Sequence, residues 1–120
     1  MGDEIERKFQ KELNAGTTAL ILLSIMEQAD TPMYGYQIAK LMEERTGELE
    51  IMKQGALYPV LRSLENNGLL SSKVDPSVSG PPRRYYSITE AGIDHLPRWR
   101  EIWRQTRDLI DNILRGEENV

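Results

Sequence analysis

The sequence predicts a mainly α-helical fold with one small β-hairpin and a long C-terminal helix. Three observations carry this. Apolar residues recur at three- and four-residue steps in four segments, as in amphipathic helices. Between the third and fourth segments the period drops to strand-like alternation, in LLSSKV and RRYYSI around DPSVSGPP, whose glycine and prolines suit a hairpin tip. At 120 residues, 39% hydrophobic and 28% charged, the chain has the composition of one globular domain with a small core that a second copy would help to cover.

Asp3 is placed to cap the first helix, with Glu6 as the reciprocal partner of a capping box, and Ile5, Phe9 and Leu13 recur every four residues behind it. TTALILLSIMEQA is apolar almost all round, as a central core helix is. Gly16 separates these pieces and leaves open whether they form one helix or two. DTPMYG reads as a turn, because Pro32 holds Thr31 extended. YQIAKLMEERTG is a second helix, with Ile38, Leu41 and Met42 inward and Gly47 as its C′ residue. KQGALYPVLRSLENNG is a third, with Leu57, Leu61 and Leu64 as its buried face and Asn67-Gly68 as its stop. Pro59 removes one hydrogen bond inside it and invites a kink. On the strands, Leu70 and Val74 are expected inward, with Arg84, Tyr86 and Ile88 sharing one face of the return strand. Thr89 is a good N-cap, with Glu90 in the first turn, for a last helix reaching about Leu114.

Three helices followed by a hairpin is the order of a winged helix-turn-helix, in which the third helix enters the DNA major groove and the hairpin lies along the neighbouring backbone. Residues 1–92 are expected to form that unit, the first helix also serving a dimer, and residues 93–120 a dimerisation helix. The net charge of −4 argues against nucleic acid until its distribution is considered. Between Ile51 and Ile88, Lys53, Arg62, Lys73, Arg83 and Arg84 stand against Glu65 and Asp75, so the region is basic on an acidic body. Potentials act over a Debye length of about 8–10 Å, so such a region can still face phosphate.

Gln54, Gly55, Ala56 and Tyr58 are small or polar enough to approach base edges, and Arg62 follows Tyr58 by one turn. Gln can bind adenine and Arg guanine bidentately, and a tyrosine hydroxyl can reach phosphate. Any one of these residues is equally at home on an ordinary surface helix. The expected DNA-facing set is therefore Lys53, Gln54, Gly55, Ala56, Tyr58, Arg62 and, on the hairpin, Lys73, Arg83 and Arg84. Adjacent strand residues face opposite ways, so one of the two arginines is expected on DNA while the other ties the wing to an acidic helix such as LMEE.

MYGYQIAKLM, GALYPVLRSLENNGLL and GPPRRYYSITEAG together resemble the PadR family of transcriptional regulators, across about Thr17 to Gly92. The matching positions are Gly55, Leu57, Tyr58, Pro59, Leu61, Leu64, Glu65 and Gly68, then Arg83, Tyr85, Tyr86, Thr89 and Gly92. The resemblance implies a dimeric winged-helix repressor released from double-stranded DNA by a small molecule. It also implies that Trp103 falls where multidrug-sensing relatives carry a drug-stacking tryptophan. The alternative is a winged-helix module that binds another protein.

In the last helix, Leu96, Trp99, Trp103, Ile110 and Ile113 or Leu114 form an apolar stripe, expected with Ile5, Phe9 and Leu13 at a homodimer seam that presents the heads to a pseudo-palindrome. Trp99 and Trp103 are the candidates for a flat aromatic effector, and Arg100 and Arg107 beside them favour an anionic one. The longest apolar run, Ala19 to Leu23, cannot span a bilayer, and a cytoplasmic protein is expected. With no cysteine, a lone His95, no phosphate loop and no nucleophile elbow, the sequence points to no metal, cofactor or enzymatic activity.

Lys53 departs from the family, where Ser, Thr or Asn caps the recognition helix. Its charge also meets the positive helix end. Lys53→Ser is expected to stabilise the free protein by about 0.5–2 kcal/mol in thermal melts and to weaken DNA binding in titrations, through loss of a phosphate contact.

Overall fold

The computed structural model describes residues 2–46, 54–76 and 80–116. Lys53 and the Gly47 cap position lie outside the described residues. The elements in order are α1 (Gly2–Gln28), β1 (Met33–Tyr34), α2 (Gly35–Thr46), α3 (Gln54–Asn66), β2 (Leu70–Asp75), β3 (Arg83–Ile88) and α4 (Glu90–Leu114). This is a mainly helical winged helix with a long final helix.

The two N-terminal pieces are one helix, running through Gly16 without interruption. Asp3 lies inside the first turn and not ahead of it, where its carboxylate still faces the positive helix end. The apolar second half of α1 supplies Leu22, Leu23, Ile25 and Met26 to the core. Ile38 and Met42 from α2, Leu57, Leu61 and Leu64 from α3, Leu70 and Tyr86 from the strands, and Leu96 from α4 complete it.

Asn67-Gly68 stops α3 by a Schellman motif. The Gly68 N–H bonds the Glu65 carbonyl and the Leu69 N–H the Leu64 carbonyl, each at 2.9 Å, and Gly68 takes the left-handed φ of 79° that the motif requires. Buried Leu64 and Leu69 are the apolar pair that accompanies it. Thr89 caps α4, its hydroxyl accepting from the Gly92 N–H at 3.0 Å.

The sheet differs from the expected two-stranded hairpin. Met33 and Tyr34, read as part of a turn, add a third strand to β3, giving the antiparallel order β1-β3-β2. Register pairs Leu70 with Ile88, Ser72 with Tyr86 and Val74 with Arg84. Leu70 is buried as expected, but Val74 is exposed, because the wing projects past the core before β2 ends.

The radius of gyration is 16.7 Å, against about 14 Å for a compact domain of this length. The excess comes from α1 and α4, which outrun the core. Ile5 and Phe9 are 69% and 62% exposed, and Ile102, Leu109, Ile110, Ile113 and Leu114 are also uncovered. Leu96, expected in a dimer seam, is wholly buried in the core of the single chain, since α4 still crosses the core there. Trp99 likewise packs partly against that core, while Trp103 is exposed.

A Cβ on Gly92 would stand 2.7 Å from the Ile88 side chain and closer still to the Leu69 carbonyl, whereas one on Gly16 meets nothing within 4 Å. Gly92→Ala is expected to lower stability by about 1–3 kcal/mol. Gly16→Ala is expected to raise it by about 0.5–1 kcal/mol, both read in urea melts.

Candidate nucleic-acid interface

Helix α3 buries the Leu57, Leu61 and Leu64 stripe, and this forces the rest of its surface outward. Tyr58 and Arg62 are exposed one turn apart beside that stripe. Gln54, Gly55 and Ala56 fall in the first turn of α3, and their side chains lie outside the described residues. The Tyr58 ring lies over the N-terminus of α2, so close to Gly35 that a Cβ there would stand 2.7 Å from a ring carbon. Gly35 is thus what lets α3 approach α2 at this point, a role the sequence reading missed.

On the wing, strand alternation divides the basic residues. Arg84 shares a face with Ser72, Val74 and Tyr86, and Lys73 and Arg83 share the opposite face with Tyr85. The structure therefore brings Tyr58, Arg62 and Arg84 toward one another but sets Lys73 and Arg83 behind them. Burial and the Glu65 carboxylate push the Tyr86 phenol up from its ordinary pKa, and Arg84 and then Arg62 oppose them, so cations from α3 and the wing act on the same hydroxyl.

Among the described residues the contacts of the two wing arginines lie elsewhere than the LMEE segment of α2, where one was expected. Arg84 Nη1 donates to Ser72 Oγ at 2.8 Å, and Ser72 Oγ donates to Glu65 Oε2 on α3. Arg83 lies over the Tyr34 ring, its guanidinium carbon 4.5 Å from the centroid. Its cation is held above its ordinary pKa, by the Tyr85 side chain first and then by Tyr34. Tyr34 in turn meets Tyr85 edge to face at 5.4 Å. Glu65 and Tyr34 were visible in sequence only as matched letters, and strand pairing gave them these partners.

The second candidate site, on α4, is also altered. Arg100 pairs with Glu27 of α1 at 2.5 Å and Arg107 with Asp108 at 3.0 Å. The positive charge expected beside Trp103 is therefore partly offset by carboxylates of the same chain, which weakens the argument for an anionic ligand. Among the described residues no group of three His, Cys, Asp or Glu could hold a metal, and no helix is long and apolar enough to cross a membrane.

A family model described as the transcriptional regulator PadR-like family matches residues 22–98. Among solved structures, a PadR family transcriptional regulator of Eggerthella lenta is 32% identical, aligning 93% of this chain with 94% of that one at a TM-score of 0.76. A transcriptional regulator from Clostridium thermocellum is 31% identical, over 84% and 96% of the two chains, at 0.75. The Bacillus subtilis PadR, solved in complex with operator DNA, is 20% identical over 69% of this chain and 46% of its own, at 0.61, a likeness of fold.

The neutral form of Tyr86 is favoured in the folded protein, so its contribution to stability is full below its ordinary pKa of 10.0 and is lost as pH rises through the raised value. Urea midpoints taken from about pH 8 to about pH 11 are expected to fall less steeply for Tyr86→Phe than for the parent chain.

Proposed function

The chain belongs to the PadR-like family of transcriptional regulators, and from that membership we propose that it is a homodimeric, sequence-specific DNA-binding repressor released from its operator by a small molecule. The observation that carries the reading is the placement of Arg62. It is exposed on the outer side of α3, one turn past Tyr58, and a wing with exposed Arg83 and Arg84 stands next to that helix. A helix that offers a bidentate donor beside a basic strand can read a base edge and hold the flanking backbone together. The Bacillus subtilis PadR, a structure of the same fold, is in complex with operator DNA, which supports DNA as the partner.

The uncovered faces of α1 and α4 support the dimer. On α4, Trp103, Ile110 and Leu114 follow Trp99 on one side, with Ile102, Leu109 and Ile113 flanking them. Arg104, paired to Glu101 at 2.5 Å and Asp108 at 3.4 Å, occupies the opposite side. A second copy is the partner that this self-complementary stripe fits. The proposed effector site centres on Trp103, with Trp99 behind it, where indoles from two chains would stack on a flat aromatic molecule.

Arg62→Ala is expected to relax discrimination at one base position by about 1–3 kcal/mol. Arg83→Ala is expected to weaken all duplexes alike and to make the slope of log affinity against log salt shallower by about one. Fluorescence anisotropy with matched and unrelated duplexes across a salt series reads both; variants indistinguishable from the parent chain would remove the assignment.

A further inference from the structure

We propose that Glu65 is a positioning residue: through Ser72 it holds Arg84, and with it the wing, at a set angle to α3, so that Arg84 serves DNA recognition by alignment and not by meeting phosphate. The inference rests on the DNA-binding reading above and deepens it.

The Ser72 hydroxyl is the joint. It donates to the Glu65 carboxylate of α3 and accepts from the Arg84 guanidinium of β3, so one small side chain on β2 connects three elements. Both bonds involve an ionised partner, which makes them stronger than neutral ones. Glu65 and Ser72 are half-buried, and Tyr86, the strand partner of Ser72, is buried, so water competes poorly for the Glu65–Ser72 bond, while the Arg84 end of the joint is exposed. The position on the strand matters as much as the chemistry. Beyond Ser72 every residue of β2 is exposed, from Lys73 to Asp75, so the direction of the projecting wing is decided at this joint. Strand alternation makes Arg84 the arginine of the joint and puts Arg83 on the other face, over Tyr34. The division of labour expected of the pair thus makes Arg84 the latch and leaves Arg83 as the cation for backbone contact.

The test uses the full chain in anisotropy titrations against a selected operator duplex and an unrelated one, over a salt series. Glu65→Ala, Ser72→Ala and Arg84→Ala should each cut the ratio of the two affinities about tenfold, the size of one lost base-pair preference, with the salt slope unchanged. Ser72→Ala combined with Arg84→Ala should be no worse than either alone, because both break one joint. Ser72→Thr, which keeps the hydroxyl, should behave as the parent chain, and Glu65→Gln, which keeps an acceptor oxygen but loses the charge, should fall between the parent chain and Glu65→Ala. An Arg84→Ala protein with intact discrimination and a slope shallower by about one would make Arg84 a phosphate contact and overturn the proposal. So would loss of thermal stability in Glu65→Ala with unchanged discrimination. If the parent chain discriminates no duplex, the DNA-binding reading itself fails. Hydrogen exchange without DNA then decides the latch: wing amides in β2 and β3 should exchange about tenfold faster in Glu65→Ala, and unchanged exchange would overturn it.

Discussion

The Thr89 hydroxyl donates to the Gly68 carbonyl at 2.7 Å and accepts from the Gly92 N–H at 3.0 Å, while the Thr89 N–H bonds the Leu69 carbonyl at 3.1 Å. One residue thus joins the end of α3, the start of β2, the end of β3 and the start of α4. Gly92 completes the junction by letting the backbone of α4 come against the Leu69 carbonyl. From this point α3 and the wing run outward in fixed directions on one side, and α4 crosses the core on the other before leaving it. Displacing any strand here would move α3, the wing and the uncovered final helix together.

The same junction explains why an acidic chain is a credible ligand for phosphate. The exposed cations on α3 and the wing stand on a projecting part of the molecule, whereas Arg100, Arg104 and Arg107 are balanced by carboxylates on α1 and α4. Net charge averages over a distinction that the fold makes in space. The apolar residues are divided in the same way. Those level with the core are buried within the chain, and those beyond it on α1 and α4 are left open.

Much of this was legible because it depends on local chemistry. Leu57, Leu61 and Leu64 declare the inner face of α3, Asn67-Gly68 its end, and Thr89 the start of α4, and all three are in place. What escaped the sequence depends on tertiary position. Two residues, Met33 and Tyr34, show no period of their own, and become a strand only because β3 has a free edge beside them. Val74 and Leu96 each continue a correct periodicity, but the first lies past the edge of the core and the second still over it. Arg84 finds Ser72 because the strand register sets Val74 and Tyr86 as their cross-strand neighbours, and no spacing in RRYY encodes that.

The most direct measurement is anisotropy of a labelled duplex from the region upstream of the protein's own gene, against an unrelated duplex, at about 50 and about 200 mM salt. The account predicts tight binding to the first that resists excess of the second and weakens steeply with salt. No binding to either duplex at the lower salt would contradict it, and would move the winged helix to the recognition of another protein.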